Sequence, residues 1–427
     1  METYVGGLVG ESDGGHITHC SVTCDVSAQG SGNRYCGGLV GHMRGGSILH
    51  SSFGGSVSAE SFVGGLVGRC RGNARLSHCS VSGSVVGKNP PNSMPSNRRN
   101  VGGLVGSAED SEISDCSSSA SVSLERGRRF DNAFGGLVGS NTGVITDCKA
   151  SGPVSMEGAD SGGGGLVGKN GGSLIRCQAL GAVTGGSEMG GLVGLNDGNV
   201  SQCSAGGAVS GNNVVGGLIG LHWNGEVSDS YARGAVSGPN EIGGLIGRLH
   251  GGPISRCYAR GQVSGQAAQG GLVGSLGETE FPLEVLQSFW AIEASGQTRS
   301  AIGMGLGLDE VHDRGTYTAA GWDLAGESAN GLEDLWYMSP EAATFPKLTW
   351  ESEPRPVMIY DFNDDPGWLL EGQWAFGEPL GMGGLENGQP DPAEAYTGRN
   401  VYGVNLQGDY TLTGLDPGHL TSGPRDV

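Results

Sequence analysis

The sequence predicts an all-β chain whose main body is a parallel β-solenoid (β-helix) of about ten rungs of 26–27 residues, followed by a cap and an incomplete β-sandwich. Three observations carry this. The unit Gly-Gly-Leu-(Val/Ile)-Gly occurs ten times, with its leucine at Leu8, Leu39, Leu66, Leu104, Leu137, Leu166, Leu192, Leu218, Leu245 and Leu272. After each unit, apolar and polar residues alternate with period two, the mark of a strand with one buried face. Glycine supplies 85 of 427 residues and charged residues only 16%, which suits close backbone stacking and not a globule of long helices.

Successive leucines are 31, 27, 38, 33, 29, 26, 26, 27 and 27 residues apart, so the basic rung is 26 or 27 residues and the early rungs carry insertions. The runs Lys88 to Asn100 and Glu125 to Asn132 are the clearest insertions. Eleven to thirteen residues after Leu comes Cys or Ser in the first nine copies, and alternation starts there. In the third copy Cys79, Val81, Gly83 and Val85 fall on one face and Ser80, Ser82 and Ser84 on the other.

A rung of this length holds about three strands joined by corners and cannot bury its apolar face alone. Stacking ten rungs at roughly 4.8 Å buries those faces and gives a rod of about 50 Å. The paired glycines before each Leu fit corners that need either φ > 0 or close backbone approach. The recurring Gly7-Leu8-Val9-Gly10 core and its nine successors resemble the GLUG-motif family. That resemblance implies a class found in large bacterial surface proteins, adhesin-like or associated with immunoglobulin proteases, in which the repeats are not catalytic.

Seven of the ten cysteines (Cys20, Cys79, Cys116, Cys148, Cys177, Cys203 and Cys257) take the same inward slot, with Ser51, Ser230 and, more loosely, Ser288 in the other copies. Cys36 replaces the Val or Phe of Val5, Val63 and Phe134, and Cys24 takes the inward Gly83 slot. These positions call for small, buried, weakly polar side chains, and no Cys-x-x-Cys spacing suggests zinc or redox chemistry. Cys70, outside this ladder, is the candidate for a reactive surface thiol.

Just before the slot an outward ladder reads His19, His50, His78, Asp115, Asp147, Arg176, Gln202, Asp229, Arg256. Stacked imidazoles at His19, His50 and His78 are candidate metal ligands, weighed against a plain solvated ladder. Near the end of the rod Tyr231 stacks on Tyr258 and Arg233 on Arg260, beside Arg256. Aromatic faces next to Arg forks suit sugars or acidic polymers, although such pairs also stabilise exposed sheets.

Residues 1–277 carry 19 Asp+Glu against 18 Lys+Arg, and residues 278–427 carry 25 against 6, which together give the formal charge of −20. A neutral rod with an acidic tail is not a nucleic-acid binder. No run of 18 apolar residues exists to span a membrane. There is no clustered carboxylate and base groove, no His-Glu-x-x-His and no nucleophile elbow, so no catalytic residue is assigned and the chain is read as not an enzyme. Met1 precedes the first repeat core by four residues with neither signal peptide nor cap, an arrangement expected of a fragment.

The segments are read as the solenoid over 1–287, a Trp-rich cap over 288–350, a linker over 351–356 and a partial, truncated sandwich over 357–427. Six of the seven tryptophans lie beyond residue 288, where large aromatics suit a cap, and Leu308 to Arg314 reads as a short helix. The last segment, with Ile359-Tyr360-Asp361-Phe362 and Val401-Tyr402-Gly403-Val404, resembles jelly-roll or MAM-like domains. Asp361, Asn363 and Asp365 imitate the start of a calcium loop, but Pro366 stands where an EF-hand needs Gly, so turn chemistry competes with a calcium site; no other cofactor is expected.

The functional expectation is a non-enzymatic extracellular or cell-surface structural and adhesion scaffold, with surface glycans or other cell-surface proteins as partners. One alternative is a carbohydrate-binding adhesin using Tyr231, Tyr258, Arg233 and Arg260. A second is the non-catalytic part of a larger secreted glycan-active enzyme or protease.

Overall fold

A computed structural model describes residues 2–28, 34–88, 99–125, 132–156, 162–278 and, apart from 328, 332 and 340–343, 283–351. Beyond these it describes four short strands. The insertions at 89–98 and 126–131 and the calcium-loop candidates Asp361, Asn363 and Asp365 lie outside the described residues. The described chain divides into two compact units, Met1–Leu348 and Thr349–Val427.

The first unit is an all-β parallel solenoid. Three ten-stranded sheets run its length, each pairing a strand with its equivalent one rung on. Sheet A runs from Thr3–Gly6 to Gln269–Gly270, sheet B from Val9–Asp13 to Val273–Leu276, and sheet C from His16–Thr18 to Val285–Leu286. A fourth parallel sheet, D, begins as the long strands Ser21–Ser27, Ser52–Ala59 and Ser80–Gly87. It then forks, because the next rung breaks the strand into Ser117–Ser118 and Ser121–Leu124. Each rung therefore holds four strand positions, not three, since the Gly-Gly-Leu-Val unit is itself a corner that splits sheet A from sheet B.

Close packing explains the paired glycines. None of the ten pairs has positive φ among the described residues. Instead, a Cβ on Gly37 would run into the carbonyl oxygen of Val40, and one on Gly38 into that of Gly65 one rung on. Of the two readings open from sequence, close backbone approach is the one that operates. The leucine that follows turns inward and is fully buried from Leu39 to Leu272. Each such side chain contributes roughly 1.5–3 kcal/mol of burial. At the edge of the stack Leu8 remains 49% exposed.

The positive-φ corner lies elsewhere. All ten residues before the Cys/Ser slot, from His19 to Gln287, are left-handed, with φ between 46° and 54°. Asp and His tolerate this region; Arg and Gln adopt it at a cost of order 1–3 kcal/mol. The slot residue repairs the corner. Cys203 N–H donates to Ser230 Oγ one rung on at 3.0 Å, and Ser230 Oγ–H donates to the Ser228 carbonyl at 2.7 Å. Cys79 N–H points likewise at Cys116 Sγ at 3.4 Å, and Cys79 Sγ–H at the Ser77 carbonyl at 3.3 Å. The slot is thus Cys or Ser because it needs a group that both accepts and donates where the corner takes the amide out of the ladder.

Sheet B carries a second inward polar column. Asn141 Nδ2 donates to Asn170 Oδ1 at 2.9 Å, and Asn170 Nδ2 to Asn196 Oδ1 at 2.8 Å. Asn196 Nδ2 then meets His222 Nδ1 at 3.0 Å. Cys70 belongs to this column, in register with Met43 and Ala108. It is fully buried, and burial pushes its thiol up to about 12, so the expected reactive surface thiol is corrected to a core residue. Cys24 keeps the expected register, paired with Gly55 and through it with Gly83, but the expected burial is corrected: its side chain is exposed. All ten cysteines are free thiols.

After rung ten, the chain forms α1 (Ile292–Ser295), α2 (Leu308–His312) and α3 (Arg314–Ala319), with Met304–Leu306 adding a strand to sheet D. An antiparallel pair, Trp336–Tyr337 with Lys347–Leu348, closes this unit. In the second unit Trp374–Gly377 pairs antiparallel with Val401–Val404, and Leu369–Leu370 with Leu420–Thr421. No helix among the described residues is long and apolar enough to cross a membrane.

Candidate functional site

The outward face of sheet D holds the Tyr/Arg constellation expected from sequence. One column runs Ser21, Ser52, Ser80, Ser117, Lys149, Gln178, Ser204, Tyr231, Tyr258, Phe289. Parallel in-register pairing brings Tyr231 and Tyr258 together, with ring centroids 4.9 Å apart and planes 1° from parallel. Their faces are not open, however: each residue is only 2% exposed.

The segment after the rod folds back over them. Trp336 lies 6.1 Å from the Tyr231 ring and 6.0 Å from that of Tyr258, and Phe345 stacks 6.3 Å from Tyr258. Tyr258 Oη–H donates to the Pro346 carbonyl at 2.5 Å, and Trp336 Nε1–H to Asp229 Oδ1 at 3.3 Å. Trp322 Nε1–H donates to the Gln287 carbonyl at 3.0 Å. The Arg260 guanidinium sits 4.7 Å over Phe345, and Arg256 makes a two-pronged pair with Asp229 at 2.7 Å. Arg233 alone of the five stays exposed. The exposed sugar platform is therefore corrected to the seat of the cap. The tryptophans that sequence placed in a cap are the groups that cover it, a link between two distant segments that periodicity could not supply.

His19, His50 and His78 do stack, with centroids 5.0 and 4.8 Å apart. Two of the rings turn a nitrogen to the chain itself, His19 Nδ1 to Thr18 Oγ1 and His78 Nδ1 to Ser77 Oγ, each at 2.7 Å. Among the described residues, no group of three or more His, Cys, Asp or Glu side chains could hold a metal ion. Further along this ladder Arg176 pairs with Asp147 through two bonds of 2.7 and 2.6 Å.

Sequence reasoning missed two features. The outward sides of sheets A and B meet across a re-entrant corner, where Tyr35 and His42 are buried with rings 5.2 Å apart and Arg69 reaches over Tyr35 to Glu109. Burial and neighbouring arginines lower the His42 pKa. A shallow depression of about 450 Å³ lies on sheet D in the early rungs, where the hydroxyls of Ser21, Thr23, Ser52, Ser80 and Ser82 share the lining with Phe53 and Val81, with Lys149 at one side. The period-two pattern assigned the hydroxyl residues to the outward face but could not show that the face is concave.

The GLUG motif matches residues 2–27, 97–123, 131–155 and 211–237, which fall in rungs one, four, five and eight. No protein of curated function matches the chain. A crystal structure from Bacteroides ovatus, described as that of a candidate immunoglobulin A1 protease, is similar at 19% identity with a TM-score of 0.32, covering 79% of this chain and 76% of that one. The remaining rungs repeat the same glycine pair, buried leucine and slot residue in register with the matched ones. The first unit thus contains GLUG-motif repeats wound into a parallel β-solenoid.

Proposed function

We propose that the chain is a non-enzymatic structural and adhesion scaffold of the cell surface or extracellular space, a rigid rod that presents its outward ladders and loops to other surfaces. The observation that carries this reading is where the repeat spends its recurring residues. The glycine pair, the leucine and the Cys/Ser slot all serve rung spacing and core, while the outward column of sheet D that starts at Ser21 changes character along the rod, through Lys149 to Tyr231 and Tyr258. A scaffold needs such a division, because stacking must be uniform and contact surfaces must differ. In this reading a glycan contact falls on the open rungs, a choice supported by the burial of Tyr231 and Tyr258 in the cap seat.

The test couples shape to adherence. Small-angle scattering should report a rod of about 50 Å for the solenoid unit. Beads coated with the chain should adhere to a glycan- or protein-bearing cell surface and be competed off by soluble chain. Turnover of a peptide or glycan substrate by the isolated chain, or a failure to adhere to any surface offered, would defeat the proposal.

A further inference from the structure

Trp223 stands apart from the other tryptophans of the first unit: Trp290, Trp322 and Trp336 are buried, whereas Trp223 is 47% exposed. It lies at the corner between sheets B and C in rung eight, just after the strand Ile219–His222. The amides of Asp197, Trp223 and His250 bond to the carbonyls of Asn170, Asn196 and His222 respectively, so the three residues fill one column in rungs seven, eight and nine. Gly171 and Gly277 hold that column on either side; the His250 ring leans into the space over Gly277, while the space over Gly171 is open.

The His250 ring covers one indole face, with centroids 4.0 Å apart and planes 21° from parallel. One rung back in the same column stands the exposed Asp197, whose side chain is too short to cover an indole. The adjoining column, set by the register of Val200, Val227, Ile254 and Val285, presents Asn199, Glu226, Pro253 and Glu284. Neither column holds Lys or Arg over these four rungs. A half-open indole face bordered by carboxylates is complementary to an organic cation, which gains from the ring quadrupole and the negative field together. The carboxylates are too dispersed to enclose a metal ion.

We propose that Trp223 and Asp197 form a docking point for a cationic side chain, the guanidinium or ammonium group of a basic segment on a partner protein. This goes beyond the scaffold reading and stands or falls apart from it, since the site would serve a rod of any purpose. The experiment titrates the full chain with the peptide acetyl-Gly-Arg-Gly-Arg-Gly-amide and with its citrulline counterpart, equal in shape but neutral, by calorimetry and tryptophan emission at low salt. The arginine peptide should bind at least about tenfold tighter than the citrulline peptide, and its Kd should rise at least about threefold in Trp223→Ala and in Asp197→Asn, with weakening as salt is added. Trp223→Phe, which keeps a ring, should fall between parent and Trp223→Ala. Equal binding of the two peptides, binding unchanged in Trp223→Ala, no binding at all, or a preference for a neutral oligosaccharide that perturbs Trp223 emission would each overturn the assignment.

Discussion

The two ends of the outward column on sheet D share one backbone and have opposite fates. At one end Ser21, Ser52, Ser80 and Ser117 leave a shallow depression open to solvent; at the other Tyr231, Tyr258 and Phe289 disappear under the cap. The inward side shows no such divergence beyond the first rung, because the Cys/Ser slot recurs along the rod and the leucines are buried from Leu39 to Leu272. The contrast teaches that the solenoid constrains inward columns through the spacing of its rungs, while an outward column is free until another segment claims it. The cap seat is where that has happened.

Breaking the seat should produce the largest effect. Trp336 is fully buried between Tyr231, Tyr258 and Trp322, and its indole N–H meets Asp229. Trp336→Ala should cost about 3–5 kcal/mol in cap docking. Because that loss is confined to the last rungs, calorimetry should resolve an early cap transition from the main unfolding of the rod. Ser80→Ala at the open end should change either transition by less than about 0.5 kcal/mol. A single cooperative transition lowered as a whole would mean that the two ends are coupled through the stack.

Acid should also separate the ends. His222 is completely buried at the end of the asparagine ladder, and burial pulls its pKa down to about 4. An unfolded histidine takes up its proton near 6.5, so the folded state resists protonation across that interval and loses stability as pH falls from about 6.5 to about 4, by roughly 3 kcal/mol at full extent. His222→Asn would extend the side chain already used at Asn141, Asn170 and Asn196, and should remove this part of the acid sensitivity. The check is the difference between parent and variant in midpoint denaturant concentration at pH 7.5 and at pH 4.5; parallel losses in both proteins would refute the assignment.

The inward slot supplies the control that should not distinguish the ends. Cys148 Sγ–H points at the Thr146 carbonyl at 3.2 Å, and Cys116 N–H at Cys148 Sγ at 3.4 Å. Cys148→Val fills similar space but leaves that amide without a partner, at a cost of about 1–3 kcal/mol. Cys148→Ser should cost distinctly less, since Ser51, Ser230 and Ser288 already do the same work. Urea unfolding of the three proteins reads the order; Val equal to Ser would show that the slot selects for size alone.

The solenoid was legible because its determinants are local and repeated. Ten copies of one unit and a period-two pattern fix stacking, register and the inward columns at Leu39 or Cys79 without reference to any distant residue. The left-handed corner was not legible, since Arg176 and Gln202 are residues no pattern reader would place at positive φ. The requirement shows only in the residue beside them, where a hydroxyl or thiol is never replaced by Val. The candidate site failed for a different reason: the ladder placed Tyr231 on Tyr258, but whether that stack is a platform or a seat depends on Trp336 and Pro346, some hundred residues away.

The smallest expected effect tests the same contrast at two ion pairs of equal geometry. Arg176 and Asp147 form a two-pronged pair in mid-rod, with side chains 37% and 35% exposed, and Arg256 and Asp229 form the same pair with Asp229 only 6% exposed beside the cap. Solvent screens the first, so Arg176→Gln should cost no more than about 0.5 kcal/mol and should be insensitive to the cap. Arg256→Gln leaves Asp229 largely desolvated with the Trp336 indole N–H as a remaining donor, so it should cost more, on the order of 1–2 kcal/mol. In a Trp336→Ala background that excess should shrink toward the mid-rod value, because water then reaches Asp229. An excess that persists without Trp336 would show that the two corners differ in the rod itself and not through the cap.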